Sequence, residues 1–177
     1  MKSFPEEKSL IKLRNGNKFG YAIYGNKKNF PIFYFHGWPG SRFELKNIPL
    51  KKEKCFVIAL ERPGYGLSDP ISNFKITDWP KIVLEIANKL KIKKFSIIGV
   101  SGGAPFALAC ANAIKSNRFK SIAIVCPLAP HNAKGMNKGR VGMLLNYGKK
   151  PFISWLLINF LRMRLLNSNV EKNFTRW

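Results

Sequence analysis

The sequence predicts an α/β protein built on a doubly wound, mostly parallel sheet, and two observations lead to this class. Short apolar runs alternate along the chain with segments of helical periodicity, an order typical of parallel strands covered by helices. The first two strand-like segments, 10–14 and 18–24, instead flank Asn15-Gly16-Asn17, which predicts an antiparallel hairpin at the sheet edge. With 177 residues, 46% of them hydrophobic, the chain can form the core of one domain.

Four apolar runs after the hairpin predict buried strands. The first of them, Pro31 to Phe35, is continuously apolar rather than alternating, as expected of a strand covered on both faces. The runs are 31–35, 55–60, 94–98 and 120–126.

Three segments between these strands predict helices. A short helix is expected over 41–48, and a longer one begins at Thr77 or Asp78 with Pro80 in its first turn. The third covers 104–116, which is rich in alanine and leucine. No internal repeat interrupts this order, so residues 1–132 are predicted to form one α/β core.

Residues 133–177 differ in character from the core. Strand-like runs stop, and helices are predicted at 141–147 and 151–166. We interpret this part as the start of a helical cap over an apolar pocket, with a helix lying on a membrane interface as the alternative. The longest apolar stretch, 152–161, is shorter than the roughly 20 residues that a membrane span needs, so no transmembrane segment is expected.

The chain is strongly basic, with 31 Lys+Arg against 9 Asp+Glu and a formal net charge of +22. Such a charge suits nucleic acid or an anionic membrane surface. The lysines are spread through every segment, however, and no nucleic-acid motif accompanies them. We therefore expect a solvated surface and no nucleic-acid partner.

The cysteines, Cys55, Cys110 and Cys126, are odd in number, widely spaced and set in apolar surroundings. This pattern predicts reduced core thiols in a cytoplasmic protein, with no disulfide framework and no metal site. The first residues show no apolar signal-peptide region. The oligomeric state stays open.

The stretch Gly99-Val100-Ser101-Gly102-Gly103 predicts a catalytic serine. It fits the pattern G-x-S-x-G between a strand and a helix, where a sharp turn holds the serine in a sparsely populated backbone conformation. Gly99 and Gly103 provide the space for this turn. The N–H of Gly102 and the start of the following helix then point at any negative charge formed there.

A glycine-rich turn between strand and helix can instead bind a phosphate. A dinucleotide site needs G-x-G-x-x-G and an acidic residue about 20 positions later. Ser101 occupies a glycine position of that pattern, and no Asp or Glu lies between Ala104 and Val170. The serine interpretation is therefore favoured, and no cofactor is expected.

Three motifs in one order resemble the α/β-hydrolase fold family, in its branch with a helical cap. They are His36-Gly37-Trp38-Pro39-Gly40, the stretch from Glu61 to Ser68, and Gly99 to Gly103. The resemblance covers roughly residues 8–130 and implies the fold predicted above, in truncated form.

The resemblance also implies roles for the loop that follows the third strand. The backbone N–H of Trp38 would form an oxyanion hole together with that of Gly102. His36 and Gly37 would shape the loop, without a role in proton transfer. Glu61-Arg62 would form a partly buried ion pair that holds the neighbouring loop.

The residue at position 101 narrows the chemistry that the resemblance implies. His-Gly-Trp-Pro is similar to the motif of epoxide hydrolases and haloalkane dehalogenases, but those relatives use an aspartate nucleophile. A serine with a base suits acyl transfer from an ester, thioester or amide. Esterases and iminopeptidases are therefore the subfamilies expected, with a small-molecule acyl substrate.

The base and its acid are not evident in the sequence. In the family the order is Ser, then Asp or Glu, then His. After Ser101 the sequence has one acid, Glu171, and one histidine, His131, in the reverse order. We therefore expect an N-terminal part of a hydrolase without the catalytic acid and histidine; the alternative is a catalytically inactive protein of this fold that binds a small ligand.

We predict negligible turnover of a p-nitrophenyl ester by the 177 residues alone, because the general base is missing. The measurement is release of p-nitrophenolate by the chain and by its Ser101→Ala variant. Hydrolysis that Ser101→Ala abolishes would overturn the expectation.

Overall fold

The structure is a computed structural model that describes residues 9–48, 50, 54–127, 134 and 159. The chain divides into two units, residues 1–128 and 129–177, and every element named below belongs to the first. The predicted cap over 133–177, with its helices, lies almost entirely outside the described residues and stays a prediction.

Within the described part of the chain, six strands form one mixed sheet. They are β1 (Leu10–Lys12), β2 (Lys18–Gly25), β3 (Pro31–Phe35), β4 (Phe56–Leu60), β5 (Phe95–Val100) and β6 (Phe119–Val125). Their order across the sheet is β1-β2-β4-β3-β5-β6. The strands β4, β3, β5 and β6 pair in parallel, whereas β1 pairs antiparallel with β2 and β2 with β4. The predicted α/β class, parallel strands and hairpin are confirmed. The prediction that the last strand is buried is wrong: β6 has no buried residue, because it is the outermost strand of the described sheet and pairs only with β5 there.

Two helices precede and follow β5, as the periodicity predicted. The first is α1 (Trp79–Lys89), with Pro80 in its first turn, and the second is α2 (Ala104–Ala113). Both pack on one face of the sheet. Fully buried side chains fill the space between them and the strands: Phe19, Phe33, Phe35, Ile58, Leu60, Trp79, Val83, Ile86, Phe95 and Ile97.

The other face of the sheet is covered by the segment after β3, where Leu45 packs on Tyr34 and Val57. The predicted helix over 41–48 is wrong, because this segment forms consecutive turns closed by bonds of the i→i+3 type, such as Glu44 N–H to the Ser41 carbonyl at 3.2 Å. Side chains here bond to nearby backbone and compete with a helix. The Ser41 hydroxyl accepts the N–H two residues later at 3.2 Å.

The parallel register decides which loops meet. Phe35 at the end of β3 pairs with Gly99 in β5 and with Leu60 at the end of β4. The loops that follow these strands therefore lie together at one edge of the sheet, where sites of open α/β sheets form. The loops that precede the same strands lie at the opposite edge.

The prediction of core thiols is correct for Cys110, where burial raises the pKa to about 12 and leaves an inert packing residue. It is wrong for Cys126, which follows the outermost strand β6 and is exposed, and Cys55 is only half-buried. Among the described helices, none has both the length and the apolar character needed to cross a bilayer.

Candidate active site

The predicted serine stands on a strained turn. Ser101 has φ +48°, in the left-handed region that residues with a Cβ rarely adopt. It is the first residue of a 3₁₀ turn, Ser101–Gly103, that joins β5 directly to α2. The side chain is half-buried rather than packed inside a helix. The strand–turn–helix geometry expected around Ser101 is therefore present.

The two outer glycines of this turn have no room for a side chain. A Cβ on Gly103 would overlap the Phe35 carbonyl oxygen and lie 2.8 Å from that of His36. A Cβ on Gly99 would lie 2.6 Å from the Cβ of Ala107 in α2. The turn thus packs directly on the backbone at the end of β3 and on the next helix.

The loop after β3 passes close to the serine. A Cβ on Gly37 would lie 3.5 Å from the Ser101 Cβ, and one on Gly102 would lie 3.6 Å from the Trp38 nitrogen. The Trp38 side chain itself is 63% exposed, and its bond to Pro39 is cis. The structure therefore places Ser101 close to the backbone of Trp38 and of Gly102, the two amides named in the sequence analysis.

Arg62 holds this loop, in a way that differs from the sequence interpretation. Its guanidinium is buried and donates to the carbonyls of His36 and Gly37, each at 3.1 Å. It also lies over the Tyr65 ring, 4.6 Å from the centroid. Burial lowers the pKa of Arg62. The guanidinium has five N–H donors, and the bonds to the two carbonyls keep it hydrogen-bonded in its buried position. The expected ion pair between Glu61 and Arg62 is wrong.

The partner of Glu61 is Arg42, from the segment after β3. The Glu61 carboxylate, fully buried, accepts from Arg42 Nη1 at 2.6 Å and from the Leu67 N–H at 2.7 Å. It also fills the space beside Gly20 and Gly66, where a Cβ would collide with it. This pair ties the loop after β4 to the loop after β3.

His36 lies in the loop after β3, and its ring is neutral at pH 7. It is fully buried, and its Nδ1–H donates to the Gly37 carbonyl at 2.9 Å. Burial lowers the pKa of His36 below its ordinary 6.5, so the ring is neutral at pH 7. This geometry agrees with a shaping role for His36 and Gly37.

Glu44 is a neighbour of the site that the sequence did not indicate. One of its carboxylate oxygens accepts from the Tyr34 hydroxyl at 2.6 Å and from the Gly37 N–H at 3.2 Å. Burial and the adjacent carboxylate raise the pKa of Tyr34. Since no motif contains Glu44, only the fold reveals this contact.

The residues weighed as base and acid, His131 and Glu171, lie outside the described residues. In the part of the chain that the structure describes, no group of three or more His, Cys, Asp or Glu side chains could hold a metal ion.

Comparison with known proteins agrees with this geometry. The family model described as alpha/beta hydrolase fold matches residues 31–149. An uncharacterized hydrolase of Bacillus subtilis, YugF, is 29% identical over 109 residues, which are 60% of this chain and 40% of that protein. A soluble epoxide hydrolase of Corynebacterium is 33% identical over 95 residues, 52% of this chain and 32% of its own. The chain thus spans well under half the length of these curated relatives.

Among solved structures, the epoxide hydrolase CorEH without ligand has a TM-score of 0.70 to this chain. The match covers 89% of this chain and 57% of that one at 24% identity, which establishes similarity of fold.

The contact of Gly103 with the β3 backbone predicts an asymmetry between two adjacent glycines. Gly103→Ala should lower the free energy of unfolding by about 3 kcal/mol or more, because backbone must move to admit the methyl group. Gly102→Ala should cost about 1 kcal/mol or less, since the atom nearest to its Cβ, the Trp38 Cβ, is 3.3 Å away and belongs to a side chain. Urea denaturation of both variants measures the difference, and equal losses would contradict the proposed contact.

The buried pair predicts a second stability difference. Glu61→Gln should lower the free energy of unfolding by about 3 kcal/mol, because the buried Arg42 loses the negative charge that lies 2.6 Å from its Nη1. The control is Glu85→Gln, whose carboxylate accepts only from the exposed Arg14 N–H, and which should cost about 1 kcal/mol or less. Denaturant unfolding compares the two, and adding Arg42→Met to Glu61→Gln should restore part of the loss. Equal losses in the two single variants would show that the pair is unimportant.

Proposed function

This chain belongs to the α/β hydrolase fold family, and we propose that it carries the nucleophile of a serine hydrolase that forms an acyl-enzyme at Ser101. One observation carries the proposal. Ser101 occupies a left-handed turn at the carboxyl end of β5, directly beside the backbone of Trp38 and Gly102. A core serine with no chemical role gains nothing from a backbone conformation that costs about 1–3 kcal/mol.

In the proposed reaction the Ser101 oxygen attacks the carbonyl carbon of an ester, thioester or amide. A C–O bond forms, and the carbonyl oxygen becomes negative in the tetrahedral intermediate. The N–H groups of Trp38 and Gly102 would donate to that oxygen, each contributing about 3–4 kcal/mol. The serine proton passes to the general base and from that base to the leaving group, whose bond to the carbonyl carbon breaks. Water then attacks the acyl-enzyme, which releases the acid and restores the Ser101 hydroxyl.

The orientation of the Trp38 N–H follows from the contacts of its own peptide group. The Gly37 carbonyl is held by Arg62 Nη2 and His36 Nδ1. In a trans peptide the C=O and the following N–H point in opposite directions. The two donors on this carbonyl therefore aim the Trp38 N–H away from Arg62, which leaves it available for an oxyanion.

The identity of residue 101 separates this proposal from epoxide hydrolysis. The resemblance associates epoxide opening with an aspartate nucleophile, whose carboxylate attacks without losing a proton. A serine hydroxyl must give its proton to a base. The family places an acid and then a histidine after the serine, whereas Glu171 and His131 occur in the reverse order. We therefore propose acyl substrates, of the esterase or iminopeptidase type, and no turnover by this chain alone.

Covalent labelling tests the nucleophile without requiring turnover. We predict that a fluorophosphonate probe reacts slowly and at Ser101 alone, since the two amides stabilise the phosphonyl oxygen even without a base. In comparable enzymes this oxyanion contribution alone leaves roughly 10³–10⁴-fold acceleration. Peptide mass spectrometry of the labelled chain locates the adduct.

The controls are Ser101→Ala, which should abolish labelling, and Ser41→Ala, which should leave it unchanged. Labelling spread over several serines would contradict a selective site. Tight binding of a small apolar ligand with no labelling would favour the inactive ligand-binding protein.

A further inference from the structure

We propose that the edge of the sheet opposite Ser101 is a docking surface for an anionic lipid bilayer. The parallel strands β3 to β6 all begin at this edge, and the loops that precede them are rich in basic residues. The basic side chains of these loops and of the adjoining strand and helix ends are called the basic face. They are Lys27, Lys28, Lys54, Lys89, Lys91, Lys93, Lys94, Lys115, Arg118 and Lys120.

Contacts join these loops into one surface. Arg118, before β6, donates to the carbonyls of Lys93 at 2.6 Å and Ile92 at 3.0 Å, both in the loop before β5. It also donates to the Asn88 side chain at the end of α1, at 2.8 Å. Arg118 therefore stabilises the loops before β5 and β6, whereas the lysines around it are exposed to solvent.

The loops before β3 and β4 join the same surface. The Asn29 side chain donates to the Cys55 carbonyl at 3.2 Å. The Lys120 ammonium, on β6, lies 4.7 Å from the centre of the Phe30 ring, just before β3. Four strands about 4.8 Å apart make this row of loops roughly 15 Å wide, which is wider than one phosphate group.

Among the residues that the structure describes, no acid lies in the loops of the basic face. No basic-face side chain forms an ion pair with a described carboxylate. The acids that the structure describes lie in loops at the carboxyl edge of the sheet or within α1. They are Glu44, Glu61, Asp69, Asp78 and Glu85.

The side chains of this face favour a bilayer over nucleic acid. Arginines that are free to bind base edges and aromatic rings that are free to stack are typical of nucleic-acid sites. Here Arg118 is engaged by carbonyls, and the Phe30 ring carries the Lys120 ammonium. Lysines attracted to anionic headgroups, around an aromatic ring that is 38% exposed, suit a membrane interface. Docking here leaves the Ser101 turn, at the opposite edge, uncovered.

The test measures binding of the full chain to vesicles by co-sedimentation. Binding is expected with phosphatidylserine mixed into phosphatidylcholine, should weaken as salt is added, and should be absent with phosphatidylcholine alone. Each lysine near an anionic surface strengthens binding roughly fivefold, so Lys28→Gln, Lys94→Gln and Lys115→Gln together should weaken it roughly a hundredfold.

A matched variant removes the same charge elsewhere. Lys18, Lys75 and Lys81 lie toward the carboxyl edge of the sheet. Together, Lys18→Gln, Lys75→Gln and Lys81→Gln should weaken binding less than fivefold. Lys28→Arg, Lys94→Arg and Lys115→Arg together should preserve binding, because they keep the positive charge. This variant distinguishes a loss of charge from a loss of folding. Equal losses in the two glutamine variants, no preference for phosphatidylserine, or tighter binding to duplex DNA of equal charge would overturn the proposal.

Discussion

The approach of two backbones, with no side chain between them, determines the geometry of the site. Gly103 lies against the carbonyls of Phe35 and His36, where a Cβ cannot fit. The approach follows from the parallel pairing of β3 with β5, since Phe35 pairs with Gly99 and the two strands end at the same edge. The turn that follows β5 must then pass over the loop that follows β3. The position of Ser101 beside that loop, and the strain at Ser101 itself, are consequences of this packing.

Buried charges then fix the loops that the packing brings together. Arg62 binds two carbonyls of the β3 loop, and the pair of Glu61 with Arg42 connects the same region to the end of β4. Each charge is desolvated, so each needs the full set of partners that the fold supplies. The rigidity that the proposed oxyanion site requires would come from these side chains rather than from the serine turn.

Local patterns in the sequence were sufficient to predict the strands, the hairpin around Gly16 and the sharp turn at Ser101, because the residues that signal each feature lie within one short stretch of sequence. Contacts between distant residues were not predictable in this way. Arg42 and Glu61 are 19 positions apart, and adjacency in sequence favoured the wrong partner, Arg62. The segment 41–48 has a composition compatible with a helix, but its side chains bond to nearby backbone and to the β3 loop. The lysines of the basic face are likewise spread along the chain, and it is the topology of the sheet that brings them together at the edge opposite Ser101.

The central claim is that Ser101 faces two main-chain donors. The most direct measurement is a crystal structure of the chain after reaction with a fluorophosphonate. The account predicts a phosphonyl oxygen about 2.7–3.1 Å from both the Trp38 and the Gly102 nitrogen. An adduct whose oxygens contact neither nitrogen, or a Ser101 side chain turned into the core, would contradict it.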